Sequence, residues 1–328
     1  MSRLVTNFQT LLKDDESQNK SEIAKRIGVS RVTFYSLFND NWKQIQRETI
    51  EKVCDYFKCD ISQLFEIKEN PFWIPFLQKG SYSFIFGGAR ANEKKSVFGS
   101  WDLKVMNEIT AHLNQISGKK RLKFNFMSSL EFEKEQNDVI DYIKENNTII
   151  IGSPKANPLS EFIIANLYNA EPLNPEKSNR KKIPFRFIRP QKWGPFEEKS
   201  AVTEASQNPE NWGIHFQKSK KNIAKAEWFD RFYERKISKG HDCGLLIIVN
   251  KPFETQNNVK LIILAGYSGL SSFGLAEMLT KDSNKMEPKT RRPLAKVVQF
   301  EYDKPSEDRD DRKITKRKVV AETQAVFR

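Results

Sequence analysis

The stretch SEIAKRIGVSRVTFYSLFNDN (21–41) decides how the first seventy residues read. Ile23, Ala24 and Ile27 recur at helical spacing and give a short helix one apolar face. Gly28 follows, a residue that tolerates the positive φ of a tight turn. Ser30 is a strong N-cap for a second helix. On that helix Phe34 and Leu37 share the inward face, leaving Arg31, Val32, Thr33, Tyr35 and Ser36 outside. Further along, Ile50, Val53, Cys54 and Phe57 return at helical spacing, and Ile61, Leu64 and Phe65 close a small core. The pattern predicts a compact all-α module over 1–68.

The register of EIAKRIGVS (22–30), the apolar pair Phe34/Leu37, FNDN (38–41) and ISQLF (61–65) resembles the Cro/phage-repressor, or XRE, type of helix-turn-helix. That resemblance covers about the first 68 residues. It implies a recognition helix lying in the major groove of double-stranded DNA. Arg31, Val32 and Ser36 would then meet base edges, Arg31 at guanine O6/N7 and Val32 at a thymine methyl. Lys20, Ser30, Thr33, Tyr35, Asn39 and Lys43 would mostly meet backbone phosphates. The family usually binds as a homodimer on two half-sites. The alternative is a helical module that pairs only with protein.

Charge distribution points the same way for the rest of the chain. The 328 residues carry a formal net charge of +13. Residues 1–68 hold 11 Lys and Arg against 10 Asp and Glu, which leaves 44 against 32 in the remainder. A surplus there suits an anionic partner, or simply a solvated basic surface. Residues 1–15 show no basic stretch followed by an apolar core, so no secretory leader is expected. No apolar run approaches the roughly 20 residues of a membrane helix. Three cysteines, Cys54, Cys59 and Cys243, are too few for a disulfide scaffold. The expected setting is a cytoplasm, with no membrane partner.

Residues 69–80 contain Pro71, Pro75, Phe72, Trp73 and Phe76, which reads as a semi-rigid linker and not as a flexible one. From 81 to 328, apolar runs alternate with helical patterns. Strands are expected at 82–86, 122–126, 148–151, 244–249 and 259–265, and helices at 101–116, 133–145, 159–168 and 270–279. Alternation of this kind predicts an α/β domain with a mainly parallel, Rossmann-like sheet.

Within this domain FIFGGARAN (84–92) and IIIGSPKAN (149–157) share an ending, and AGYSG (265–269) closes a third strand. Ligands of open α/β sheets bind beyond the carboxyl ends of strands. Small residues there admit backbone N–H groups to a ligand, and a following helix N-terminus attracts anions. Asn157 and Pro158 suit N-cap and first-turn positions. These loops make Gly87, Gly88, Arg90, Asn92, Gly152, Ser153, Lys155, Asn157, Gly266, Ser268 and Gly269 the candidate residues for a small anionic, nucleotide-like ligand. Turn and capping chemistry alone is the competing explanation. Neither a GxxxxGK[ST] loop nor a GxGxxG fingerprint occurs.

An enzyme is the second functional reading. Glu161, one turn into the helix after GSPKAN, resembles the glutamate of deoxyribosyltransferase-like and TIR-like families, which acts on a glycosidic bond. It would make the chain a nucleoside- or nucleotide-processing effector with a helix-turn-helix control module. A first-turn carboxylate stabilised by the helix dipole is the simpler role for Glu161, and Asp102 has the same two readings. His241-Asp242-Cys243 cannot converge as a triad on an extended strand, because neighbours alternate faces. His112, His215 and His241 show no metal-ligand spacing. The segment 177–192 carries seven basic residues and no acid, interleaved with Phe185 and Phe187. It suits either a half-buried strand or a nucleic-acid contact. KSKKNIAKAEWFDRFYERK (218–236) reads as a charged amphipathic helix, 304–318 as a surface loop or hairpin, and 318–327 as an edge strand. Together these features predict a DNA-binding transcriptional regulator whose second domain senses a ligand and supports dimerisation.

Overall fold

A computed structural model describes residues 3–12, 19–39, 41–42, 44–68, 71–87, 99–118, 121–132, 136–191, 200–219, 222–228, 239–303 and 311–323. The chain divides into two compact units, Met1–Asn70 and Pro71–Arg328.

The first unit contains β1 (Arg3–Thr6), α1 (Phe8–Leu11), α2 (Lys20–Ile27), α3 (Arg31–Phe38), α4 (Arg47–Phe57), α5 (Ile61–Leu64) and β2 (Phe65–Lys68). Its helices begin and end where the local chemistry requires. The Asn19 side chain accepts from Ser21 N–H at 3.0 Å and starts α2. Gly28 ends it at φ 76°, in the left-handed region. Ser30 Oγ accepts from Thr33 N–H at 3.0 Å and starts α3. Asp60 and Gln63 cap α5 reciprocally. Phe8, Ile23, Ala24, Ile27, Phe34, Leu37, Val53 and Leu64 form the buried core. Phe8 meets Phe34 edge-on at 5.1 Å and Phe57 at 5.4 Å. Beyond the helices expected from periodicity, β1 pairs antiparallel with β2, Arg3 opposite Lys68 and Thr6 opposite Phe65, fastening the two ends of the unit together.

The second unit opens with a 3-10 turn (Pro71–Trp73) and α6 (Ile74–Lys79). Phe72, Trp73 and Phe76 are fully buried in this unit's core. Lys260, also fully buried, donates from Nζ to the Phe72 carbonyl at 2.7 Å and pairs with Glu287 at 2.6 Å. Its pKa is lowered to about 8 by burial, against the pull of Glu287. The chain continues through β3 (Ser81–Phe86), α7 (Ser100–Ser117), β4 (Lys123–Ser128), α8 (Gln136–Glu145), β5 (Thr148–Ile151), α9 (Pro158–Leu167) and α10 (Lys177–Arg180). It then forms β6 (Phe185–Pro190), β7 (Thr203–Ser206), β8 (Gly213–Ser219), β9 (Asn222–Glu227), β10 (Lys239–Asn250), β11 (Lys260–Gly266), α11 (Gly269–Asp282), β12 (Leu294–Asp303) and β13 (Lys313–Glu322).

Among the described residues the larger sheet runs β13-β12-β10-β11-β5-β3-β4. The strands β11, β5, β3 and β4 are mutually parallel, whereas β10–β13 join through antiparallel pairings. The sheet is therefore mixed and not mainly parallel. Connection length explains the departure. Only 251–259 separate β10 from β11, too short a span for the crossover of a dozen or more residues that a parallel pair needs. Instead β10 and β11 pair antiparallel, Leu246 opposite Leu264.

Helices cover the two faces differently. On one face α7 and α11 bury Val105, Ile109, Leu113, Leu275 and Leu279 against Phe84, Ile149 and Ile262. On the other, α8, α9 and a second sheet, ordered β7-β6-β8-β9, pack on Ile85, Ile150 and Ile263. In β6, Phe185 and Phe187 point into that core while Arg186 lies on the opposite side, which is the strand reading of the basic segment. Residues 222–227 form β9, not a helix, paired with β8 from Gly213–Glu227 to Ser219–Asn222. The Gln299 side chain bonds both ways to the Glu227 backbone, at 2.6 and 2.9 Å, and ties β9 to β12. The 318–322 stretch lies in β13, an edge strand of the larger sheet.

Candidate nucleic-acid interface and strand-end loops

In the first unit the recognition-helix geometry follows from two facts. Phe34 and Leu37 are consumed by the core, and Gly28 turns α2 into α3. What remains outward on α3 is Arg31, Val32 and Tyr35, with Val32 81% and Tyr35 42% exposed. Arg31 and Val32 stand at the N-terminal end of α3, the end that reaches base edges in this motif. Ser30 and Thr33 are engaged with each other: their hydroxyls lie 2.8 Å apart as part of the cap. Ser36 is half-buried, and its hydroxyl donates to the Asn41 carbonyl at 3.0 Å. Asn39 is exposed at the C-cap of α3. The Lys20 ammonium sits 4.0 Å over the Phe38 ring, a cation–π contact that holds it beside α3. Lys43 lies outside the described residues.

In the second unit the three glycine-ended strands come side by side. Phe86, Ile151 and Leu264 align across β3, β5 and β11. The chain leaves the carboxyl end of β3 into α7 on one face and the carboxyl end of β5 into α9 on the other, so the connections diverge between β3 and β5. Gly87 lies at that divergence. A Cβ there would overlap the Ala156 carbonyl oxygen, so only glycine lets the two similar loops touch. Gly88, Arg90 and Asn92 lie outside the described residues. Gly152 adopts φ 109°, a conformation that favours glycine.

Several candidate polar groups are engaged by the fold itself. The buried Asn157 donates to the Ile151 carbonyl at 3.0 Å and accepts from Leu159 N–H at 3.1 Å, which caps α9. Ser153 is buried and accepts from Arg189 Nη2 at 2.8 Å. Ser268 caps α11 through Leu270 N–H at 3.2 Å and donates to Asp242. Gly266 and Gly269 admit the backbone of Ser272 and the side chain of Trp101, the latter 2.6 Å from an added Cβ. Lys155 is half-buried beside the turn.

Two residues at these strand ends escaped the sequence reading. Arg189 is buried, with its guanidinium 4.1 Å from the Tyr267 ring and bonded to Ser153. The signal was parity: Phe185, Phe187 and Arg189 share one face of β6. Asp242 on β10 is also buried. It accepts from Cys243 N–H at 2.8 Å and from Ser268, and burial pushes its carboxyl up to about 6. Both residues place charge next to the β11–α11 turn.

Glu161 is buried away from solvent, accepting from Ser200 Oγ at 2.7 Å and Ala201 N–H at 2.6 Å. Burial raises its pKa against these hydrogen bonds. In this position it anchors α9 to the chain entering β7. Asp102 accepts from Gly99 N–H at 3.2 Å at the start of α7. Among the described residues, no cluster of three or more His, Cys, Asp or Glu is arranged to hold a metal ion. No helix among them is long and apolar enough to cross a membrane.

Comparison with known proteins separates the two units. No curated protein and no solved structure matches the chain. Residues 7–70 match the family model of the Cro/C1-type HTH DNA-binding domain, covering the unit whose core, turn and outward α3 face are described above. The first unit is a Cro/C1-type helix-turn-helix DNA-binding domain, and the chain carries the DNA-binding module of a regulator.

Proposed function

We propose that this protein is a cytoplasmic, homodimeric transcriptional regulator that reads a DNA operator through α3. Its α/β unit senses a small anionic, nucleotide-like ligand at the carboxyl ends of β3, β5 and β11. The observation that carries the ligand reading is the divergence of connections between β3 and β5, where open α/β sheets take their ligands. Arg189, fixed by Ser153 at the neighbouring strand ends, and Lys155 supply positive charge there. Ligand binding would shift the equilibrium between placements of two DNA-reading modules, and so operator affinity. At the DNA, Arg31 and Val32 read bases and Lys20 contacts phosphate.

The test has two arms. On a duplex selected from a random pool, Arg31→Ala weakens binding by about 1–3 kcal/mol and relaxes specificity, whereas Lys20→Ala lowers the salt slope by about one. Fluorescence anisotropy at several salt concentrations reads both. Mass spectrometry of small molecules released from the purified protein, then a thermal-shift panel of nucleotides, reads the ligand. A shift abolished by Lys155→Ala or Arg90→Ala supports sensing. No shift across the panel overturns it, as does nucleotide turnover that Glu161→Gln abolishes.

A further inference from the structure

Among the described residues the larger sheet ends in two open edges of opposite character. The β13 edge carries Lys313, Lys316, Arg317 and Lys318 against Glu322. Its pairing with β12 is broken by irregularities at Val297/Val298 and Glu301/Tyr302. Like charges and bulges are the devices by which an edge strand refuses a second chain. At the other end, β4 reads KFNFMS, with Phe124 39% and Phe126 47% exposed. Phe126 stacks on Phe84 at 6.2 Å, and Phe124 meets Phe126 at 4.9 Å and Tyr82 at 5.9 Å. The rings therefore extend the buried aromatic layer beneath α7 out to the sheet's rim. Leu103, 53% exposed, lies seven residues before Thr110, which receives the Tyr82 hydroxyl at 3.2 Å. That spacing puts Leu103 on the flank of α7 nearest these rings.

The backbone of β4 is set for pairing. Lys123 N–H donates to the Gly80 carbonyl at 2.9 Å, toward β3. Strand alternation then turns the N–H and C=O groups of Phe124 and Phe126 to the open edge. The next outward N–H, that of Ser128, is closed by Glu131 Oε1 at 2.7 Å, which ends the pairing surface. Arg121 and Lys123 make one end of this surface basic and Glu131 makes the other acidic.

We infer that β4 pairs antiparallel with β4 of a second copy of this chain, about a two-fold axis at Asn125. In that register Phe124 lies opposite Phe126 of the partner subunit, and both present outward backbone groups, as a hydrogen-bonded antiparallel pair requires. The basic end of one strand runs along the acidic end of the other, a self-complementary pattern that a parallel pairing would invert. Four phenylalanine rings meet on one face. The symmetry closes at two copies, because the described residues of each chain present one such edge and β13 opposes self-pairing. The inference deepens the homodimeric reading proposed above, rests on it, and supplies its surface.

Light scattering coupled to gel filtration of the full chain, over a dilution series, tests it. The expected result is a two-chain mass that falls to one chain in Phe124→Lys and in Phe126→Pro. Proline at 126 removes an N–H that the chain's own sheet does not use, together with the ring that stacks on Phe84, so a modest drop in the melt is expected and the Asn125→Cys cross-link, which leaves both rings in place, is the decisive readout. Asn125 faces its own copy across a non-hydrogen-bonded pair, where Cα atoms lie about 4.5 Å apart, within disulfide reach. Asn125→Cys therefore forms a diamide-induced covalent dimer that Val319→Cys on β13 does not. A chain that stays dimeric in both phenylalanine variants and gives no Asn125→Cys cross-link overturns the β4 surface and leaves the homodimeric reading standing. A chain that is monomeric throughout overturns both.

Discussion

The outward face of α3 and the strand-end loops are both read from sequence as binding surfaces, but their residues are used differently. On α3, the core takes Phe34 and Leu37 and leaves Arg31, Val32 and Tyr35 with solvent-facing side chains. At the strand ends, Asn157, Ser153 and Ser268 are already bonded within the protein. Gly87, Gly266 and Gly269 are already filled by neighbours. A DNA-reading helix needs side chains the fold does not use. A crevice at strand ends needs its turns built first, and the same residue types that would greet a ligand also build the turns. Charge near those loops comes partly from β6 and β10, far away in sequence.

The contrast can be broken at its foundations. Phe34 is fully buried and touches Phe8, Tyr35 and Phe38. Phe34→Ala should cost about 3–5 kcal/mol, enough to unfold so small a unit. Its core cluster contains only residues of the first unit. Calorimetry should therefore show the α/β transition in place while DNA binding disappears. A shift of both transitions would mean that the two cores are not energetically separate.

Asp242 sharpens the other half of the comparison through pH. Burial holds its carboxyl up to about 6, from an ordinary value of 3.8, against the hydrogen bonds of Ser268 and Cys243 N–H. Between those values the folded unit keeps a proton that the unfolded chain has lost. The associated stability is full below about pH 4 and is lost as pH rises through 6, about 3 kcal/mol in all. Urea melts at pH 4 and pH 7 should show that difference shrinking in Asp242→Asn. An unchanged difference would assign the pH dependence to other groups.

A smaller effect tests the loop contact itself. Gly87→Ala forces a Cβ into the Ala156 carbonyl, an overpacking that should cost about 1–3 kcal/mol. The melt of the α/β unit should drop by that amount, and any nucleotide-induced shift should be lost with it. A fully stable variant with intact ligand response would show that the two similar endings do not depend on touching.

Much of this architecture was legible because burial imposes periods. Ile23, Ala24, Ile27, Phe34 and Leu37 fell where a 3.6-residue repeat requires, and the aliphatic runs at 148–151 and 259–265 became buried parallel strands. The failures also have physical causes. Residues 222–227 are rich in Ala, Lys and Glu, good helix formers, yet pairing with β8 overrides that preference. In β9 the side chain of Ala226 is buried and Ile223 is exposed, so the usual apolar signal is inverted. The antiparallel half of the sheet was readable from the short 251–259 connection, which strand composition alone did not weigh. Arg189 was hidden because a buried guanidinium resembles its exposed neighbours in any count of charge.

The short β1–β2 ladder has a consequence for modularity. With Arg3 opposite Lys68, the entrance and exit of the DNA-reading unit lie on adjacent strands. Such a module is a topological cassette. A brief connector could join its ends, and new termini could be opened in a surface turn between its helices. Because both ends leave from one place, the unit could also be spliced into a loop of an unrelated scaffold at the cost of a single point of attachment. The fold thus separates what α3 recognises from the direction in which the chain arrives and departs.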